Sequence, residues 1–217
     1  MGELSIVSYF KDSDPFYKGH SFLVYKSYIN DILDIHGLTD GYYGTEISCG
    51  TVPLYEIDRN NYISFGAWME SIEYDFSNSI PESCITSIPA RQNGGIYYNY
   101  EAYGMRENHA CYLPNAALKQ FISFDQLTSL LQFLNTQNWY SVTNHNCATV
   151  ASKAWNKVTD DHLSSTSTVV FPRLQLGSFN IVQFDSPKKL KTEIMKRRGL
   201  PDNNYYVFTG EELITNI

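Results

Sequence analysis

Charge is scarce in this chain. Asp, Glu, Lys and Arg make up only 18% of 217 residues, and acidic groups outnumber basic ones by 23 to 16. The formal net charge of −7 argues against a nucleic-acid partner, which normally demands a basic face for phosphates. The one basic cluster, "KKLKTEIMKRR" (Lys188 to Arg198), falls on a predicted helix and reads as a solvated face. Long apolar runs are also missing. None approaches the roughly 20 residues of a membrane span, so no stable membrane insertion is expected. The opening "MGELSIVSYF" has no basic start leading into a long apolar core, and Ile6 stands where a myristoylation signal has Ser or Thr. The expected location is therefore cytoplasmic by default, unless a leader was trimmed or export is non-classical.

Cysteine is sparse and irregularly placed. Cys49, Cys84, Cys111 and Cys147 contain no CxxC pair, which excludes the familiar zinc signatures and disfavours a disulfide framework. Glu46, Asp58 and the histidines show no HExxH-type ligand spacing either. No metal and no cofactor are expected, and the thiols are taken as free.

Aromatic residues, by contrast, are abundant. The 17 Tyr and 12 Phe, within a 43% hydrophobic composition, supply a sizeable core and favour strands over a helical bundle. The chain length suits one domain. "LSIVSYF" (Leu4 to Phe10), "GHSFLVYKS" (Gly19 to Ser27), "NYISFGAW" (Asn61 to Trp68) and "GIYYNYEAYG" (Gly95 to Gly104) read as strands. "HACYLPNA" reads as a further short strand ended by Pro114. Residues 28–60 are expected to hold a hairpin and loops, and residues 77–95 a loop rich in Ser, Pro and Asn.

Three helices follow. In "SFDQLTSLLQFLN", Ser123 and Gln126 make a capping box, and Leu127, Leu130, Leu131 and Leu134 recur at helical spacing. In "TNHNCATVASKAWNKV" (Thr143 to Val158), Val150, Ala151, Ala154, Trp155 and Val158 form one apolar face, with Asn144 or Asn146 as the cap. After a loop over residues 160–185, Ser186 caps a third helix that starts at Pro187 and stops at Gly199. "YYVF" (Tyr205 to Phe208) closes the set as a short strand. Strands first and helices after suggest an α+β domain with antiparallel pairing.

The second helix raises a chemical question, because Cys147 stands at its first turn. The first amides of a helix carry unpaired N–H groups and partial positive charge. A thiolate placed there is stabilised, and the same N–H groups can bind an oxyanion. The bland alternative is a small buried core residue, and spacing alone leaves the two level. A nucleophilic thiolate needs an imidazole partner. His20 opens a strand directly after Gly19; His36 and His162 sit in loop-like contexts, and His109 enters a short strand. His145, two residues from Cys147, is too near in sequence to serve as its base and suits a local role.

In sequence order, "GHSFL", "ISFGAW", "GIYYNYE" and "NCATVASKAWN" span roughly residues 19–158. Together they resemble the circularly permuted branch of the NlpC/P60 papain-like superfamily, near uncharacterised bacterial relatives of the lecithin:retinol acyltransferase-like "H…NC" proteins. The resemblance implies a papain-like antiparallel sheet packed against helices, with the nucleophile at a helix N-terminus. It also implies a single permuted domain over 1–217, with catalytic strands and helix at about 4–158 and a C-terminal helix and tail at 159–217. Carried over position by position, Cys147 matches the nucleophile and His20 the general base. The third member, which orients the imidazole, is variable in the superfamily. Asn99 and Glu101, alternating onto the strand face of Tyr97, are the candidates, and Ser64 is a further option. Asn146 contributes to the oxyanion site or caps the helix. The implied activity is a thiol hydrolase acting by acyl transfer, an amidase or peptidase on peptide or peptidoglycan-type amide bonds. Two alternatives stay open: a lipid or thioester acyltransferase or thioesterase, and a catalytically inactive papain-like binding module. The expected partner is a peptide, peptidoglycan-type or acyl substrate; the sequence does not speak to oligomeric state.

Overall fold

A computed structural model of the chain describes residues 2–10, 19–27, 32–34, 39–40, 51–53, 62–69, 94–98, 101, 116–172, 179–197 and 206–208. The strands are β1 (Gly2–Phe10), β2 (Gly19–Ser27), β3 (Ile32–Asp34), β4 (Thr39–Asp40), β5 (Thr51–Pro53), β6 (Tyr62–Trp68), β7 (Gly95–Tyr98), β8 (Ala116–Ile122), β9 (Thr166–Pro172), β10 (Phe179–Asp185) and β11 (Tyr206–Phe208). The helices are α1 (Phe124–Asn135), α2 (Cys147–Val158) and α3 (Pro187–Lys196).

The main sheet has seven strands in the order β11-β8-β1-β2-β6-β7-β4. Its ladders are antiparallel except for the parallel β4–β7 pair at one edge. The architecture is α+β, an antiparallel sheet packed against helices. Strand alternation sorts the side chains: Leu4 and Ile6 of β1, Leu23 and Tyr25 of β2, and Ile63, Phe65 and Ala67 of β6 enter one buried cluster. The helices complete that cluster. Packing of α2 falls on β2 and β6, α3 lies on β1 and β8, and α1 lies against α2.

Helix starts follow local chemistry. Ser123 accepts from the Gln126 amide while the Gln126 side chain accepts from the Ser123 N–H, and Leu127, Leu130, Leu131 and Leu134 are buried, as their spacing predicts. Every residue of the predicted apolar face of α2 is buried, and Trp155 is fully enclosed. Burying an indole removes about 150–250 Å² from water, a gross gain of roughly 4–6 kcal/mol before ordering entropy is subtracted. Pro187 opens α3, but Ser186 stands at the cap position without a side-chain hydrogen bond to the helix.

The structure corrects two local expectations. The presumed loop over residues 160–185 contains the β9–β10 hairpin, paired from Thr166↔Asp185 to Pro172↔Phe179. Runs of β-branched and aromatic residues, "TSTVVFP" and "FNIVQFD", supply its strand chemistry. The short strand expected in "HACYLPNA" lies outside the described residues, apart from the final Ala116, where β8 begins. Strand β8 pairs with β1 on one side and β11 on the other; Ala116, Ala117 and Leu118 are buried in succession, so no alternation marks them in sequence. The second correction concerns "GIYYNYEAYG": β7 ends at Tyr98, and Glu101 already has helical backbone. Of the presumed 28–60 region, β3 and β5 form an antiparallel pair and β4 joins the main sheet. Most of residues 77–95 lie outside the described set. Among the described residues, no helix is long and apolar enough to cross a membrane.

Candidate active site

Three sequence-distant elements bring Cys147, His20 and Glu101 together. Cys147 is the first residue of α2 and is buried. The helix start is held firmly. The Asn146 side-chain oxygen accepts from the Ala148 and Thr149 amides, while the Asn146 N–H donates to Thr149 Oγ1. Asn146 Nδ2 donates to the Val142 and Asp185 carbonyls, so both its N–H groups are used. Asn146 is thus a helix cap, and its amide has no donor left for an oxyanion. The cap is pinned to the β9–β10 hairpin through Asp185, which accepts from Thr149 Oγ1 at 2.7 Å and from Ser165 Oγ and Thr166 Oγ1 at 2.9 Å each.

Cap and helix between them take the Ala148, Thr149 and Val150 amides. Among the described residues, the expectation of several free N–H groups at this terminus therefore narrows to one, the amide of Cys147 itself.

His20 enters from β2. Phe22 pairs with Gly66 across the β2–β6 ladder, so His20, two residues along, comes against Trp68. The two rings lie 4.0 Å apart at 34°, and Phe22 stacks on the imidazole at 5.6 Å. His20 Nε2 donates to Glu101 Oε1 at 2.7 Å. The ring also hydrogen-bonds the Cys147 sulfur, a task that falls to Nδ1 because Nε2 is occupied. Burial by itself would lower the His20 pKa. The thiolate charge and its hydrogen bond, followed by the bond and charge of Glu101, overcome burial and raise it to about 9. For Cys147, burial pushes the thiol up, but the imidazolium, the Ser21 backbone N–H and the Tyr140 hydroxyl bring it below its ordinary value. Both shifts favour the thiolate–imidazolium form of the pair.

Glu101 is completely buried, yet it is not on the strand face expected for it. The chain leaves β7 after Tyr98 and carries the carboxylate back over β6, where donors await it. Trp68 Nε1 donates to Oε1 at 2.7 Å and Ser64 Oγ to Oε2 at 3.0 Å. An acid in the interior requires such partners. Asn99, the other candidate, lies outside the described residues, as do His36 and His109. Ser64 donates to Oε2 of the carboxylate, whereas His20 bonds Oε1.

His145 has the local role expected of it. It stacks on Trp139 at 3.8 Å and 9°, and its backbone bridges to Ser141, closing the turn before α2. Burial, aided by Lys153 and opposed by Asp185, lowers its pKa, and its Nε2 is buried without a hydrogen-bond partner. His162 is exposed. Among the described residues, no three His, Cys, Asp or Glu side chains form a metal-binding group.

Sequence reasoning missed Tyr140, the Ser21 amide and Trp68. Tyr140 reaches the sulfur because the chain doubles back between α1 and α2. A Cβ at Gly94, whose φ is +73°, would lie 2.7 Å from Tyr140 Cβ and 2.5 Å from the Trp68 carbonyl oxygen. No local pattern marks such a long-range approach.

No protein-family model, curated protein or solved structure matches this chain. The chemistry of the site has to be read from its own atoms.

Proposed function

We propose that the chain is a thiol hydrolase of the permuted papain-like type, acting by acyl transfer on amide bonds of a peptide or peptidoglycan-type substrate. One observation carries this reading: a single imidazole is bonded on one side to a helix-terminal thiol and on the other to a buried carboxylate. A core cysteine kept for packing needs neither partner, and a silent binding module has no use for an ionised thiol. The order, histidine before cysteine, agrees with the permuted branch that the sequence motifs resemble.

In this mechanism the Cys147 thiolate attacks the carbonyl carbon, and the electron pair of the C=O moves onto oxygen. The Cys147 amide, which the helix cap leaves open, is the donor offered to that oxyanion. Collapse of the intermediate expels the amine, which takes its proton from His20, leaving a thioester on Cys147. His20, now neutral, accepts a proton from water as water attacks the thioester, and the thiolate returns. Glu101 holds the ring in register and stabilises its charged form.

The test is alkylation of Cys147 by iodoacetamide near pH 6, followed on its own peptide by mass spectrometry. Rapid labelling in the native chain and slow labelling in His20→Ala are expected, together with a Cys147-linked acyl adduct after incubation with peptide or muropeptide amides. Slow labelling in both proteins refutes the ion pair. An adduct formed only with lipid esters or thioesters moves the activity to the acyltransferase or thioesterase class.

A further inference from the structure

We infer that Ser64, Gly66 and Trp68 form a built receptacle for the Glu101 carboxylate, and that Ser64 and Trp68 are thereby positioning residues of the Cys147–His20 pair. The inference rests on the acyl-transfer reading above and assigns a role to the "SFGAW" stretch that this reading does not need.

The three residues alternate along β6 and so share one face, while Ile63, Phe65 and Ala67 enter the core from the other. Each supplies something different. Ser64, itself fully buried, donates to Oε2. Trp68 donates to Oε1, the oxygen that also accepts from His20. Gly66 supplies space: a Cβ there would lie 1.7 Å from Oε1, 2.6 Å from the carboxyl carbon and 3.0 Å from Trp68 Nε1. The acid therefore occupies the volume that any side chain at position 66 would fill.

The donor set also fixes the direction of the bonds from β6. An indole N–H can only donate, so Oε1 must accept from it, and the hydroxyl of Ser64 gives its hydrogen to Oε2. Both oxygens thus accept hydrogen bonds from β6, and Oε1 shares its acceptor role between Trp68 and His20. Trp68 acts twice, because the ring that anchors Glu101 also lies against His20. Without the donors, a buried carboxylate with only His20 as partner is less stable as an anion. The imidazolium loses support, and the thiolate loses its counter-charge in turn.

A purely structural network would affect stability alone, whereas positioning residues must alter the ionisation of a sulfur they do not touch. The experiment measures the pH dependence of Cys147 alkylation in full-length Trp68→Phe, Ser64→Ala and Gly66→Ala, with the thermal midpoint recorded for each. Trp68→Phe keeps an aromatic ring against His20 and removes only the donor. In Trp68→Phe and in Ser64→Ala, the acid limb of the alkylation profile is expected to move upward by about half to one pH unit. Gly66→Ala is expected to show the largest shift or to lose the fold; the other two variants decide the matter if it unfolds. Native profiles in both Trp68→Phe and Ser64→Ala, beside a lowered midpoint, overturn the inference and leave a structural network. A His20→Ala profile that also matches the native one overturns the acyl-transfer reading itself, so the two failures are distinguishable.

Discussion

Replacing Glu101 by Gln removes one charge while keeping the shape of the side chain. The amide oxygen can still accept from His20 and Trp68, and the amide N–H₂ can donate to Ser64 Oγ in place of the bond it loses. The geometry survives, so the change isolates the electrostatic part. A hydrogen bond to a charged group contributes about 1.5–3 kcal/mol, against about 0.5–1.5 kcal/mol between neutral groups. The difference, about 1–1.5 kcal/mol, corresponds to roughly one pH unit. The His20 pKa, raised to about 9 in the native chain, should thus fall to about 8 in Glu101→Gln. The sign follows directly. The imidazolium is the acid that protonates the leaving group, and it is lost as pH rises through its pKa, so the activity window closes earlier on its alkaline side. On the acid side, the thiol's lowered pKa rises when the supporting positive charge weakens, so the window also opens later. An NMR titration of the His20 ring, paired with the pH profile of Cys147 alkylation, measures both edges. An unchanged His20 midpoint in Glu101→Gln would refute the claim that this carboxylate supports the ion pair.

The remaining predictions separate helix chemistry from site chemistry. Asn146→Ala removes the cap acceptor for two amides and should cost about 1–2 kcal/mol, lowering the thermal midpoint by roughly 2–8 °C. It should also slow Cys147 alkylation, because the helix start that carries the thiol loosens; a normal alkylation rate would show that the cap does not position the sulfur. Ser123→Ala breaks the capping box of α1 and should lower the midpoint by roughly 2–4 °C while leaving alkylation unchanged. Leu130→Ala opens a cavity at a fully buried position and should cost about 3–5 kcal/mol by denaturant titration; a loss below about 1 kcal/mol would show that the α1–α2 contact is loosely packed.

Local chemistry was legible where it is short-ranged. The capping box at Ser123, the cap at Asn146, the leucine spacing of α1 and the apolar face of α2 all depend on residues within one or two turns of each other, and the sequence displays them directly. The same holds for β2 and β6, whose β-branched and aromatic runs lie where they were expected. Strands β8, β9 and β10 were not legible. The first opens with three consecutive buried residues, Ala116, Ala117 and Leu118, and so shows no alternation there, and the hairpin lies in a stretch that reads as a loop between two strong helices. In the candidate site, Cys147 and His20 stood out because one heads a helix and the other opens a strand. Glu101 was named with the wrong backbone and for the wrong reason. Its burial depends on the missing side chain at Gly66 and on donors 33 and 37 residues away.

By itself, then, the amino-acid order determined which segments become helices, where those helices begin, and that a thiol would stand at the start of one. Only the tertiary structure decided that this thiol meets an imidazole from β2, and that the imidazole is backed by an acid resting on β6. The physical reason is range. Caps and amphipathic spacing act between near neighbours, whereas a buried ion pair needs charge, donors and empty volume brought to one point from segments that do not interact until the sheet has formed.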